Sequence, residues 1–388
     1  MEGIEAEDSA AEGQLEEAYF QQWMSLSENL GGSWFPATLF NQTIPQLGRT
    51  EPAIRYAAIA VGALSKAVSP TALPGSPTTP TGSSSHYNHA VTYYGRALRL
   101  VRLQQDLSSD YTLRAATLAC VLFACFEMLH DSCDAAVNHI NHGLMIVEQF
   151  MCSHDTLSAQ PLTGKGKQRA VSPGPFVLDE EILNVFQRLE FLTWTTRLVQ
   201  QAPQHPPRVY LCPPRPYCMP SAPFTDVLDA RGCLDATQHH LLRALATKGT
   251  TPLDMAPLEQ WLMSFEPLYA TANDTAASDQ LRYLQATSLL LQYHSSWLTL
   301  QQQSTTSSED TARFLEIIRL SEVVLLNQAS EMFTMDHGPT LALFLAATKC
   351  VDHSVRKAAV ELLKAYPRRD AFWDTRSLLA AAEKGLMG

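Results

Sequence analysis

Apolar residues recur every three to four positions through most of the chain, which is the period of an amphipathic helix. Over 14–29 the recurring set is Leu15, Tyr19, Trp23 and Leu26, all on one face. Thr50 stands as a cap with Pro52 in the first turn of a helix that runs through IRYAAIAVGALSKA. In 86–104, Ala90, Tyr94, Ala97 and Val101 form a single stripe predicted to be buried. Residues 110–130 are apolar on every side for three turns, so that helix should be central. Asp131 or Ser132 then caps 133–150, with Ala136, Ile140, Val147 and Phe150 facing inward. The same period continues at 178–200, 225–246, 256–271, 276–302, 310–332, 339–350, 352–365 and 374–385. No window alternates with period two, so strand content should be trivial. The expected fold is all-α, an array of antiparallel helical hairpins forming one large domain.

Three segments break the period. Residues 69–85 (SPTALPGSPTTPTGSSS) contain fifteen Pro, Ser, Thr or Gly out of seventeen, a composition expected of a flexible linker. A second, mildly basic linker is expected at 152–176. The Pro-rich stretch 202–223 holds enough apolar groups to pack as an ordered extended segment. Residues 1–13 are acidic and lack an apolar run; they read as a disordered tail, leaving 14–388 as the folded domain.

Charge narrows the choice of partners. Lys and Arg number 28 against 39 Asp and Glu, a net charge of −11, and only 17% of residues are charged against about a quarter in ordinary domains. DNA affinity comes largely from basic side chains on phosphates, roughly six to ten of them in a strong binder. The small cluster Lys165, Lys167 and Arg169 falls short of that, so direct nucleic-acid binding is not expected. The longest apolar run, Ala115 to Phe126, has twelve residues, below the roughly 20 of a membrane helix. The chain is expected to be soluble and intracellular, without membrane association. Eight cysteines, none in a Cys-x-x-Cys pair, suit a reducing compartment.

The chemical motifs are few. His130, Cys133, His139 and His142 lie close in sequence, and His139 and His142 share a helix face, but a structural zinc site ordinarily uses tight ligand pairs. Packing for His139 and solvation for His142 are the simpler account. Cys212 and Cys218 flank CPPRPYC without the further cysteines that a zinc cluster needs. The acidic segment LDEEIL at 178–183 lacks the paired aspartates of a diphosphate-binding helix and reads as a helix N-terminus. No nucleophile elbow, Walker loop or dinucleotide fingerprint is present. No catalytic, cofactor-binding or metal-binding residue is nominated, and enzyme activity is not expected.

Several segments carry a family resemblance. PAIRYAAIAVGALSK (52–66), YNHAVTYYGRALRLV (87–101) and LACVLFACFEMLHDSCDAAVNHINHGLMIV (118–147) place Tyr94 and Ala97, Phe126 and Glu127, then Ala136, His139 and Gly143 at matching positions. VFQRL (185–189) and PFTDVLDARGCL (223–234) follow. The most specific part is 333–374, FTMDHGPTLALFLAATKCVDHSVRKAAVELLKAYPRRDAFWD. There Phe333, Gly338, Lys349, Cys350, Arg356, Ala359, Leu362, Leu363, Arg368, Arg369, Trp373 and Asp374 fit a closing pattern. Together these resemble the regulatory domain of fungal zinc-cluster transcription factors. Two departures are Val351, where the family commonly has Arg, and Asp370-Ala371, where it commonly has Glu-Gly.

The resemblance implies a nuclear regulator of transcription, acting through protein partners such as a zinc-cluster relative, with a small-molecule effector as an open alternative. It also implies a six-cysteine binuclear zinc cluster, which these 388 residues do not contain. A finger-less interaction scaffold and an all-α enzyme acting on an apolar metabolite are the other readings. Arg356, Arg368 and Arg369 are expected to cap helix ends or to pair with Asp352, Asp370 and Asp374, with Trp373 sealing the last hairpin. The face carrying Leu15, Tyr19 and Trp23 would serve a partner if free, though packing within its own domain is the simpler account.

Overall fold

A computed structural model describes residues 2–32, 34–68, 85–103, 110–158, 180–200, 219–248, 253–301, 308–328 and 333–387. Within them are fourteen α-helices, one π-helical turn and three strands of two residues each, so the fold is all-α. The described residues fall into two compact units. Those of 1–27 and 38–186 form the first, and those of 28–37, 187–209 and 214–388 the second. A single core stops growing near roughly 250–300 residues, which favours two cores in a chain this long.

The first unit contains α1 (Glu2–Ser27), the π-helical turn Leu39–Thr43, α2 (Ile44–Leu47), α3 (Pro52–Ala67), α4 (Ser85–Leu103), α5 (Asp110–Leu129) and α6 (Cys133–Ser158). It also takes the opening turns of α7 (Glu180–Gln200). The Ala-rich helix α3 packs against α1, α4 and α5, and α5 packs against α6. Small side chains at Ala57, Ala58, Ala60 and Ala63, all buried, let its neighbours approach closely. Closest is the crossing with α1, where a Cβ at Gly62 would overlap the carbonyl oxygen of Tyr19. Tyr19 and Trp23 are consequently buried inside this unit, so those two positions of the α1 face considered for a partner are covered by the unit's own helices, while Leu15 is half-buried.

Helix α1 begins at Glu2 rather than after a disordered tail. Ala and Glu are strong helix formers, and early acids suit the helix dipole, which outweighs the lack of an apolar run in 1–13. Similarly α6 continues to Ser158, through the first seven positions of the linker expected at 152–176. The rest of that linker, 69–84 of the other, and Cys212 and Cys218 lie outside the described residues. Glu51, in extended conformation, rather than Thr50, precedes the first turn of α3, with Pro52 at its first position. Stretch Tyr111–Leu129 within α5 is long and apolar enough to cross a membrane, and 89% of its most apolar window is buried within the fold.

The second unit contains the rest of α7, then α8 (Val227–Lys248), α9 (Ala256–Asp274), α10 (Gln280–Leu300) and α11 (Ser308–Leu326). After β1 (Phe333–Thr334) come α12 (Pro339–Lys349), α13 (His353–Ala365), β2 (Arg369–Asp370), β3 (Trp373–Asp374) and α14 (Thr375–Met387). From α8 to α14 each helix packs on the next, the hairpin arrangement expected from the breaks in the pattern. Trp261, Phe265 and Tyr293 stack with ring centroids 4.5 and 5.8 Å apart at the centre of the core, and the Trp261 indole N–H donates to the Ala230 carbonyl at 2.9 Å. Asp279 and Asp352 cap α10 and α13 by accepting amide hydrogen bonds of the first turn. The ladder is β1-β2-β3, with β1 parallel and β3 antiparallel to β2.

Candidate functional site

In the first unit, Tyr94 on α4 lies against α5 and α6. Its ring stacks on Phe126 at 4.2 Å, and its hydroxyl donates to Glu127 Oε1 at 2.5 Å. The His139 ring nitrogen Nε2 is 3.0 Å from the Tyr94 hydroxyl oxygen. With the phenol proton committed to Glu127, His139 meets the hydroxyl as the donor, which sets its tautomer. Burial pushes the Tyr94 phenol strongly up, reinforced by the bond to Glu127, and lowers His139 to about 4. The expected stripe on α4 is therefore shifted: Tyr93 is its buried tyrosine, while Tyr94 is half-buried and supplies the polar contact. Gly143 is buried against the ring of Phe186.

The second unit holds a larger buried polar network. Arg188 of α7 lies 3.5 Å from Asp235 and 3.2 Å from Asp336, and Arg231 of α8 pairs with the same oxygen of Asp336. Arg231 also donates to the Gly31 carbonyl at 3.2 Å and lies 3.9 Å over the Phe35 ring. Burial raises the Asp336 carboxyl, but Arg231 and Arg188 outweigh it and hold the group below its ordinary range. For Asp235 burial prevails over the two guanidinium groups, and its carboxyl is raised. Gln292 joins Asp235 to Gln238, which donates to Ser296 at 2.6 Å. Beside it, His239 and Glu190 meet at 2.9 Å, both buried. Two positive and two negative side chains balance within one enclosed cluster, an arrangement that fixes how α7, α8 and the β1–α12 connection pack.

The C-terminal pattern folds into a clasp. One carboxylate oxygen of Asp370 accepts the Thr340 amide at 3.0 Å and the Thr340 hydroxyl at 2.6 Å, capping α12 from a distant strand. The other accepts Arg368 at 2.7 and 2.8 Å. A side chain at Gly338 would overlap the Asp370 carboxylate, so this glycine permits the cap. Arg369 pairs with Asp374 at 2.6 Å, and Asp374 accepts the Arg376 amide at 2.8 Å at the start of α14. Trp373 is buried beneath the hairpin. Asp352 serves as the cap of α13, and the Arg pairs expected from sequence form at Arg368–Asp370 and Arg369–Asp374. Ala371, in the turn between β2 and β3, adopts φ +51, the left-handed conformation that a glycine takes readily.

His130, Cys133, His139 and His142 do not converge. His130 meets Tyr87 at 2.9 Å, His139 meets Tyr94, and Cys133 and His142 are exposed. Among the described residues no three His, Cys, Asp or Glu side chains are grouped to hold a metal ion. The acidic start of α7 instead supplies Glu181, which accepts the Leu39 amide at 2.7 Å. Asp235 and Asp336 escaped sequence reasoning, although Asp235 directly follows one segment that carries the resemblance and Asp336 lies within another. Unpaired signals of this kind acquire meaning only when their arginine partners are placed. Compared with protein-family models, curated proteins and solved structures, the chain matches none of them.

Proposed function

We propose that this chain is a transcription-regulatory module of the fungal zinc-cluster type, acting in the nucleus through protein partners or an effector rather than as an enzyme. The observation that carries this reading is where the residues of the resemblance fall. Tyr94 bonds both Glu127 and His139, Arg188 and Arg231 share Asp336, and Gly338, Arg368, Arg369, Trp373 and Asp374 build one clasp. A chance likeness between scattered letters has no reason to select side chains that hold each other in place. The functional part of the reading rests on the resemblance. The net charge of −11 favours indirect action on DNA by these residues.

Tethering the chain to an unrelated DNA-binding domain upstream of a reporter gene tests the reading. The expected outcome is altered reporter output that depends on the chain being folded, and no effect on the reporter counts against it. In an anisotropy titration at physiological salt, the isolated chain is expected to bind duplex DNA no tighter than non-specific proteins do, about 1 µM or weaker. Sequence-selective binding in the nanomolar range would overturn the indirect mechanism.

A further inference from the structure

Within the first unit, the phenol oxygen of Tyr19 on α1 is met by two imidazoles from the start of α4. His86 Nδ1 is 2.8 Å away and His89 Nδ1 is 2.9 Å away. The histidines are three residues apart, which puts both on one helix face. The phenol has one proton and can donate to only one of them, so the other ring must donate from its own Nδ1. Two metal-competent imidazole nitrogens thus lie within hydrogen-bond distance of one metal-competent oxygen.

We propose that Tyr19, His86 and His89 form a binding site for a divalent transition metal ion of the copper class, with the phenolate oxygen and the two Nδ1 atoms as ligands. At the roughly 90° cis angles of a tetragonal copper(II) site, ligand bonds of about 2.0 Å place neighbouring donor atoms roughly 2.8 Å apart, close to the two hydrogen-bonded spacings already present. A mixed nitrogen and oxygen donor set suits copper(II), which also heads the affinity order of the divalent first-row ions. Both histidines are half-buried, and His89 lines an open groove of about 280 Å³ with Leu15, Thr92 and Tyr93, which gives an ion a route from solvent. Tyr19 itself is buried, and that burial raises its phenol, so the proton stays on the oxygen until a metal displaces it. With neutral imidazoles, binding releases one proton per ion, from the phenol, while the imidazole that donated from Nδ1 moves its hydrogen to Nε2 through solvent. Such an ion would tie α1 to α4 by bonds stronger than the present hydrogen bonds.

The test is a titration of the full chain with copper(II) alone, carrying Cys133→Ser to remove an exposed thiol. One equivalent should bind, with a visible phenolate-to-copper charge-transfer band and the release of one proton. Tyr19→Phe should abolish the band and weaken binding at least about tenfold with the helical circular dichroism retained; replacing both histidines by Gln should also weaken it at least tenfold. Should Tyr19→Phe fail to fold, the His86→Gln/His89→Gln variant decides, since its positions are only half-buried. Absence of the band in the parent chain, or affinity unchanged in the histidine variant, overturns the proposal. A band that survives Tyr19→Phe assigns the ion to thiolates elsewhere and overturns it equally.

Discussion

Replacing Asp370 by Asn removes one charge and leaves the Arg368 guanidinium enclosed, with a side-chain exposure of 4%. An uncompensated buried charge is among the most damaging single changes, so Asp370→Asn is expected to destabilise the chain by about 3 kcal/mol in denaturant unfolding. The amide oxygen can still cap Thr340, and adding Arg368→Leu should therefore recover part of the loss; a double variant no better than the single would refute this account. Ala371 next door is buried at φ +51. A β-branched side chain there meets both backbone strain and a filled core, so Ala371→Val should cost about 2 kcal/mol or more. Ala371→Gly should change little, because relief of strain is offset by the lost methyl group and by glycine's added chain entropy. The resemblance flagged this position from sequence, as an Ala where Gly is usual, and the φ angle shows that a glycine would sit here without strain.

Among elements, the helices were legible because a buried face repeats at every turn, whereas the caps at Asp279 and Asp352 emerge only from the structure. The strands were not, since two residues cannot display a period of two. The π-helical turn Leu39–Thr43 was missed too; it lies in a stretch whose apolar pattern is too brief to read. The polar site stayed hidden for a different reason. Arg188 and Asp336 are 148 positions apart, and no local periodicity reports on a partner at that distance. At the crossing of α1 and α3, backbone meets backbone at Gly62. Gly62→Ala should force these helices apart and destabilise the unit by about 3 kcal/mol, whereas the same change at Gly95, which has open space around it, should be neutral or stabilising. Thermal unfolding of the two variants side by side measures the contrast.

Across the whole molecule, acid should act on both units through histidines held neutral. Burial lowers His139 in the first unit to about 4, and His337 and His294 in the second to about 4 and about 3. His294 also faces Arg313 at 3.1 Å, which opposes protonation, and Nε2 of His337 is shielded from water. A folded value below the unfolded one means that this stability is complete above about pH 6.5. It is lost as pH falls toward 4, at a scale on the order of 2 kcal/mol per enclosed imidazole between pH 6.5 and 5. Denaturation midpoints should therefore drop across that window, and His294→Gln with His337→Gln should flatten the profile; a midpoint constant from pH 7 to 5 would contradict the neutral assignment.

The parallel pairing of β1 with β2 closes a circuit in the chain: Phe333 leaves the ladder, α12 and α13 follow, and Arg369 returns to the same rung. Asp370 and Ala371 fasten the closure, the first to Thr340 and the second through its amide to the Thr334 carbonyl at 2.7 Å. A segment bounded in this way has no free end from which to fray, so it should open all at once or not at all. In native-state hydrogen exchange the Ala371 amide should share one opening free energy with the interior amides of α12, despite lying in a turn.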